Sequence, residues 1–310
     1  MDKAELLHIL SRDTQAKRFS DGEIIVSDGQ PATEGVGFII SGAARVFQMQ
    51  GESRVVLGHI MAGQFFGETA LVLARPRSAS IEAAADDTVV MFLSPANFRA
   101  NIATNFSFLD MLMDHTVTRV EYVIAALSRL NFEQPLIVDP SLVAVIAENR
   151  RQNLMLQDML NHTRSAWIGP DNPAFAQGDR NDQQSYLVVK GQISIFRSFE
   201  KRRFKLFTLS EGDIFGFTPR ESPPFRKYDA RAVGDSARII SFDSDLMEKL
   251  MRLNQERFYY VFRSIVTQLV VLDDALRLAS GRKVVGGSVP ATLSTGLGSI
   301  DYLAVRQTDQ

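Results

Sequence analysis

The 310-residue sequence predicts an α+β chain of two antiparallel β-barrel or jelly-roll domains, each flanked by an N-terminal helix and followed by a long C-terminal helix. Three observations carry this prediction. Short runs of β-forming residues (GEIIVSDG, GVGFIISG, ARVFQM, SRVVLGHI, VVMFLS) are punctuated by glycines at 22, 29, 42, 58, 63 and 67, as tight corners require. Gly29, Gly42, Gly63, Gly67 and Arg77 each have an identical residue 149 positions later, at Gly178, Gly191, Gly212, Gly216 and Arg226. Each β-rich block is followed by an apolar stripe whose spacing alternates between four and three.

The elements follow in order. Asp2 to Ser11 reads as a short amphipathic helix with Leu6, Leu7 and Leu10 on one side. The first β-rich block ends near Pro95, and a helical pattern runs from about Phe106 to Leu130. Its stripe is Leu109, Met113, Thr116, Val120, Val123, Leu127 and Leu130. Phe258, Phe262, Ile265, Leu269, Leu272 and Leu276 repeat it at the same offset. Such seams favour helix–helix pairing, within the chain or in a homodimer. Pro135 and Pro140 break the chain between the copies, and Ser141 to Leu160 then reads as helix, with Arg150 and Arg151 on a solvated face. The expected domains are residues 1–133, 134–280 and a Gly/Ser-rich flexible tail at 281–310.

Composition narrows the function classes. The net charge of -2 gives no global field for nucleic acid. The absence of cysteine excludes disulfides and thiolate-bound zinc. The four histidines (8, 59, 115 and 162) show neither metal spacing nor a paired nucleophile, and Asp273-Asp274 reads as solvated charge beside the seam. No apolar run approaches a membrane span and the first residues are unlike a signal peptide, so a cytoplasmic, non-catalytic protein is expected, with no membrane, DNA, metal or cofactor involved.

The chemistry concentrates in residues 65–83, FFGETALVLARPRSASIEA. A glycine leading into a short helix presents backbone N–H groups to an anion. Arg77 offers a planar fork suited to phosphate oxygens, and Glu68 offers an acceptor for a hydroxyl. A phosphate and a hydroxyl beside an apolar wall describe a small nucleotide.

Phe66-Gly67-Glu68-Thr69-Ala70-Leu71 with Arg77-Ser78-Ala79 resembles the phosphate-binding cassette of the cyclic nucleotide-binding superfamily, which includes catabolite-activator-type regulators, protein kinase A regulatory subunits and cyclic-nucleotide-gated channels. The resemblance implies that Arg77 meets the cyclic phosphate, helped by N–H groups near Thr69 and Ala70 and by the Ser78 hydroxyl. It implies that Glu68 accepts the ribose 2′-OH. The base is expected along residues such as Leu57, under a lid contributed by Tyr122. Ser78 matches the bacterial cAMP-binding regulators better than cGMP binders, so cAMP is favoured as the ligand, with cGMP the alternative.

The second copy, IFGFTPRESPPFRKYDARA, keeps Gly216 and Arg226 but has Phe217 where the first has Glu68. A phenyl ring accepts no hydroxyl, and Pro219, Pro223 and Pro224 remove backbone donors, so this pocket reads as degenerate. The expected function is a receptor that binds a cyclic nucleotide in its first domain and signals to a protein partner by helix rearrangement. The alternative is a ligand-independent scaffold that keeps the fold. No helix-turn-helix follows the first helix, which argues against a transcription factor. Lys17-Arg18-Phe19-Ser20 is a poor kinase-inhibitor segment, because Phe19 belongs to the first strand.

Overall fold

The computed structural model describes residues 16–50, 52–129, 138–160, 164–199, 202–218 and 225–279. The expected helix at 2–11, the tail at 281–310 and Pro219, Pro223 and Pro224 lie outside the described residues.

Two four-stranded antiparallel sheets build the first domain. One has the order β1 (Ala16–Phe19), β8 (Thr88–Leu93), β3 (Val36–Ser41), β6 (Phe65–Phe66). The other has the order β2 (Ile24–Val26), β7 (Ser80–Ala83), β4 (Ala43–Gln50), β5 (Ser53–Met61). This is a jelly-roll-like pair of sheets rather than one closed barrel. Alternate strand residues point inward, as the pleat dictates. Ile39 and Val90 from one sheet thus share a core with Val26, Val46, Leu57, Ile60 and Ile81 from the other. The chain passes between the sheets at Gly42, whose φ is +82° and where a Cβ would lie 2.8 Å from the Thr88 backbone.

Helix α1 (Glu68–Val72) follows β6 of one sheet and precedes β7 of the other in the chain, and α2 (Pro95–Thr104) follows β8. The Ser94 hydroxyl caps α2 by accepting from the Asn97 N–H, and Pro95 takes the first-turn position that needs no donor. Helix α3 (Phe106–Arg129) matches the expected long helix, and α4 (Pro140–Leu154) begins at the second of the predicted breaks. Pro140 is its first residue, one position before the expected start at Ser141, and Asp139 caps it. Residues 155–160, expected as its continuation, form turns instead.

The second domain repeats the first at the same spacing. Strands β9 (Ser165–Ile168), β10 (Ser185–Lys190), β13 (Ile214–Phe215) and β15 (Ala237–Phe242) form one sheet, ordered β13-β10-β15-β9. Strands β11 (Ile193–Phe199), β12 (Arg202–Leu209) and β14 (Asp229–Ala232) form the other, ordered β12-β11-β14. Helices α5 (Ser244–Leu253) and α6 (Gln255–Ala279) take the places of α2 and α3. The correspondence reaches single hydrogen bonds. Gly29 N–H donates to the Arg77 carbonyl at 2.8 Å, and Gly178 N–H to that of Arg226 at 2.9 Å.

The chain divides into two compact units, one running to Met111 and the other from Leu112 to Ser280. Helix α3 therefore starts in the first unit, where Phe108 packs edge-on to Phe65 and Phe98, and continues into the second. Within the second unit α3 meets α6 through Arg119 and Asp273, 3.3 Å apart. Asp273 and Asp274 are 2% and 7% exposed, which corrects the expectation of solvated charge. Their neighbourhood is helix packing, and the Arg119 guanidinium supplies the charge that a buried carboxylate needs. Arg150 is not simply solvated either, because its guanidinium holds Asp213 by two bonds of 2.9 and 2.6 Å.

Candidate functional site

The first cassette is assembled by the corner between β6 and α1. Gly67 takes φ +83°, a conformation in which any side chain is strained, and this turns the chain into α1. Phe66 anchors the corner from the apolar side, fully buried against the edge of Phe92 at 6.0 Å. Glu68 and Thr69 open α1 and are buried, Glu68 to 1% exposure. Arg77 returns on the segment before β7 at 5% exposure.

The Arg77 fork is held by backbone. Its Nη1 donates to the Gly67 carbonyl at 2.9 Å, and its Nη2 donates to the Gly35 carbonyl. These two bonds engage two of the roughly five guanidinium N–H groups. Burial pulls the Arg77 guanidinium below its ordinary range, while the carboxylates of Glu68 and Glu34 act in the opposite sense. The cation and carboxylate singled out in the sequence thus lie within electrostatic reach of one another, both buried. Gly67, Thr69, Ala70, Arg77, Ser78 and Ala79 line one small cavity with Val26, Val46 and Ile81. Leu57 lies in the core cluster that backs it. Tyr122 lies on α3 within the second unit and is 40% exposed.

The second cassette repeats the frame with different contents. Arg226 Nη1 donates to the Gly216 carbonyl at 2.6 Å, and Nη2 to the Gln184 carbonyl at 2.7 Å. These are the counterparts of Gly67 and Gly35 at the 149-residue offset. Arg226 also binds the Asp182 carboxylate, where the first copy has Thr33. Four positions of the second cassette carry aromatic rings where the first carries none. Phe175, Tyr186 and Tyr228 stand at the counterparts of Val26, Gly37 and Ala79, and Phe217 at that of Glu68. Phe175 and Tyr186 lie 5.7 Å apart, Tyr186 stacks on Phe215 at 5.2 Å, and Arg226 lies 4.3 Å over the Phe175 ring. Burial, then the Asp182 carboxylate, pushes the Tyr186 hydroxyl up to about 12.

Sequence reasoning passed over one buried ionic cluster in the first domain. Glu82 on β7 is buried and takes Arg45 Nη1 at 2.7 Å on one oxygen and Arg54 on the other. Arg54 also covers the Phe47 ring at 3.7 Å. The cross-strand pairing of Arg45 with Glu82 was the available signal, and it needed the strand register to be seen. Among the described residues no group of acidic or histidine side chains is placed to hold a metal ion, and no helix is long and apolar enough to cross a membrane.

The family model described as "Cyclic nucleotide-binding domain" matches residues 16–105 and again 168–254, together more than half of the chain. The chain is 36% identical over 83 residues to the cAMP-dependent protein kinase type II regulatory subunit of Drosophila melanogaster, a stretch covering 27% of this chain and 22% of that protein. It therefore spans a minor part of that relative's length. Among solved structures it is similar to the Thermus thermophilus catabolite activator protein, at 24% identity over 55% of this chain and 71% of that one, with a TM-score of 0.35. It is also similar to the regulatory domain of Toxoplasma gondii PKA crystallised with cAMP, at 17% identity over 83% and 87% of the two chains, with a TM-score of 0.30. Likenesses at these TM-scores carry no functional weight.

Proposed function

Because this chain belongs to the cyclic nucleotide-binding domain family, we propose that it is a non-catalytic cytoplasmic receptor that binds a cyclic nucleotide, cAMP in preference to cGMP, in its first domain and signals through α3 to a protein partner. The observation that carries the reading is the buried Arg77 on the Gly67 corner, with the Glu68 carboxylate in electrostatic reach. The remaining Arg77 N–H groups take the cyclic phosphate, supported by the Ser78 hydroxyl and the N–H groups that open α1. Glu68 takes the ribose 2′-OH, and Leu57 and its neighbours meet the base. A charge-assisted bond of the Arg77 type contributes about 1.5–3 kcal/mol.

The cavity lined by Gly67, Thr69, Ala70, Arg77 and Ser78 has a volume of only ≈ 10 Å³, and neither Glu68 nor Leu57 lines it. In this reading, binding a nucleotide widens that cavity and moves the residues that line it. That movement is the signal, because a ligand shifts a conformational equilibrium by its differential affinity for the two states. Titration calorimetry with cAMP and cGMP tests the reading. Heat is expected from the wild type, stronger for cAMP, and the affinity of Arg77→Ala falls at least about tenfold. Absence of heat at high micromolar nucleotide overturns it. The closed cavity also favours a second reading, a scaffold whose first pocket stays shut; partner binding unaffected by Arg77→Ala, together with no heat, supports that one.

A further inference from the structure

We propose that the second cassette is a docking site occupied by this chain's own helix α3, with the Glu121 carboxylate as its anionic ligand. One stripe of α3 at helical spacing, Val117, Val120, Glu121 and Ile124, faces that cassette. Glu121 is 4% exposed and accepts from Lys227 Nζ at 2.6 Å. Lys227 follows Arg226 directly and stands at the counterpart of Ser78. The carboxylate also acts on Arg197, whose guanidinium burial pulls below its ordinary range and Glu121 supports. Arg197 stands at the counterpart of Gln48, which in the first cassette donates instead to the Ser78 carbonyl at 2.8 Å. The second cassette thus carries two cations at positions where the first has Ser78 and Gln48; Lys227 bonds the α3 carboxylate directly, and Arg197 lies within its electrostatic reach.

The rest of the site is closed to an outside anion. Arg226 is neutralised by Asp182 and covered by Phe175. Val117, Val120 and Ile124 close over Phe217, Tyr228 and Gly216 and leave a cavity of ≈ 20 Å³. Burying a carboxylate is costly unless it is paired, so Glu121 specifies where α3 docks. The dock then receives the signal from the first domain, a consequence that rests on the reading proposed above, since α3 begins among Phe65 and Phe98.

Hydrogen exchange by mass spectrometry on the full chain, without nucleotide, tests the dock. Glu121→Gln and Lys227→Met are each expected to speed exchange about tenfold in peptides covering 117–124 and 225–230, while β4 and β5 stay unchanged. Exchange within twofold of the wild type in those peptides overturns the proposal. If Glu121→Gln fails to fold by circular dichroism, Lys227→Met, which leaves α3 intact, decides alone. Calorimetry with cAMP tests the coupling. Glu121→Gln is expected to bind three- to tenfold more tightly than the wild type, because α3 is no longer held. Equal affinities overturn the signalling role. Absence of heat from every variant counts against the first-domain reading, and the exchange measurement still decides the dock.

Discussion

At Gly67 the backbone has a φ of +83°, and a Cβ added there would lie 1.9 Å from Arg77 Nη1. Gly67→Ala is therefore expected to lower stability by about 1–3 kcal/mol and to weaken nucleotide binding, read by a urea melt and by calorimetry. Asp182 gives a matching test in the other copy. Asp182→Ala leaves the buried Arg226 without its carboxylate and is expected to cost about 1–3 kcal/mol in the same melt. His115 sets a pH dependence. Its Nε2 is shut off from solvent without a hydrogen-bond partner, and burial, then the Arg119 guanidinium, lowers its pKa to about 3. The folded protein thus holds His115 neutral where the unfolded chain would bind a proton. Stability is expected to fall as pH drops from about 6.5 toward 3, by at most about 1.4 kcal/mol per pH unit from this group. A His115→Gln variant flattens that part of the curve. Gly67, Glu68 and Arg77 were legible in the sequence because they lie within one short stretch and their types state their chemistry. Glu121 was not, because its partner Lys227 lies 106 positions away and the pairing exists only once α3 has docked.

Among the elements, α3 and α6 depart furthest from the expected picture. A single seam at spacings of four and three suggested one apolar face on each helix. The structure buries more than that seam, with Val117 and Ile124 of α3 and Val261, Val266 and Val270 of α6 also enclosed. Periodicity located the helices correctly, at Phe106–Arg129 and Gln255–Ala279, but it ranked residues by hydropathy. It therefore had no means to place charged side chains such as Arg119 and Asp273 inside. The pair they form is buried, and removing one partner takes away a counter-charge that the buried other faces. Asp273→Ala is expected to destabilise the second domain by about 3–5 kcal/mol, while Asp273→Ala with Arg119→Met recovers much of the loss. Equal stability of the single and double variants in chemical denaturation would refute this account of the contact.

For the whole molecule, the division of the chain matters for where it can be cut. The sequence places the first boundary at 133, after α3, whereas contacts group Leu112 onward with the second domain. A fragment starting at 112 keeps Val117, Val123, Ile124 and Leu127 as part of its core, and one starting at 134 loses them. With about 1.5–3 kcal/mol for each fully buried aliphatic side chain, the shorter fragment is expected to melt at least about 10 °C lower in a thermal scan. The repeat itself was legible because glycines mark corners, and corners keep their spacing when side chains change. What fills each cavity was less so, since Phe175, Tyr186 and Tyr228 look like ordinary core residues until the strands bring them beside Arg226.

That common spacing gives an experimenter an unusual freedom. From Gly67 to Arg77 and from Gly216 to Arg226 the count of residues is the same, so the two halves can be edited against one another without redesigning a single loop. Changing Phe175, Tyr186, Phe217 and Tyr228 to Val, Gly, Glu and Ala rewrites the second cassette in the vocabulary of its twin.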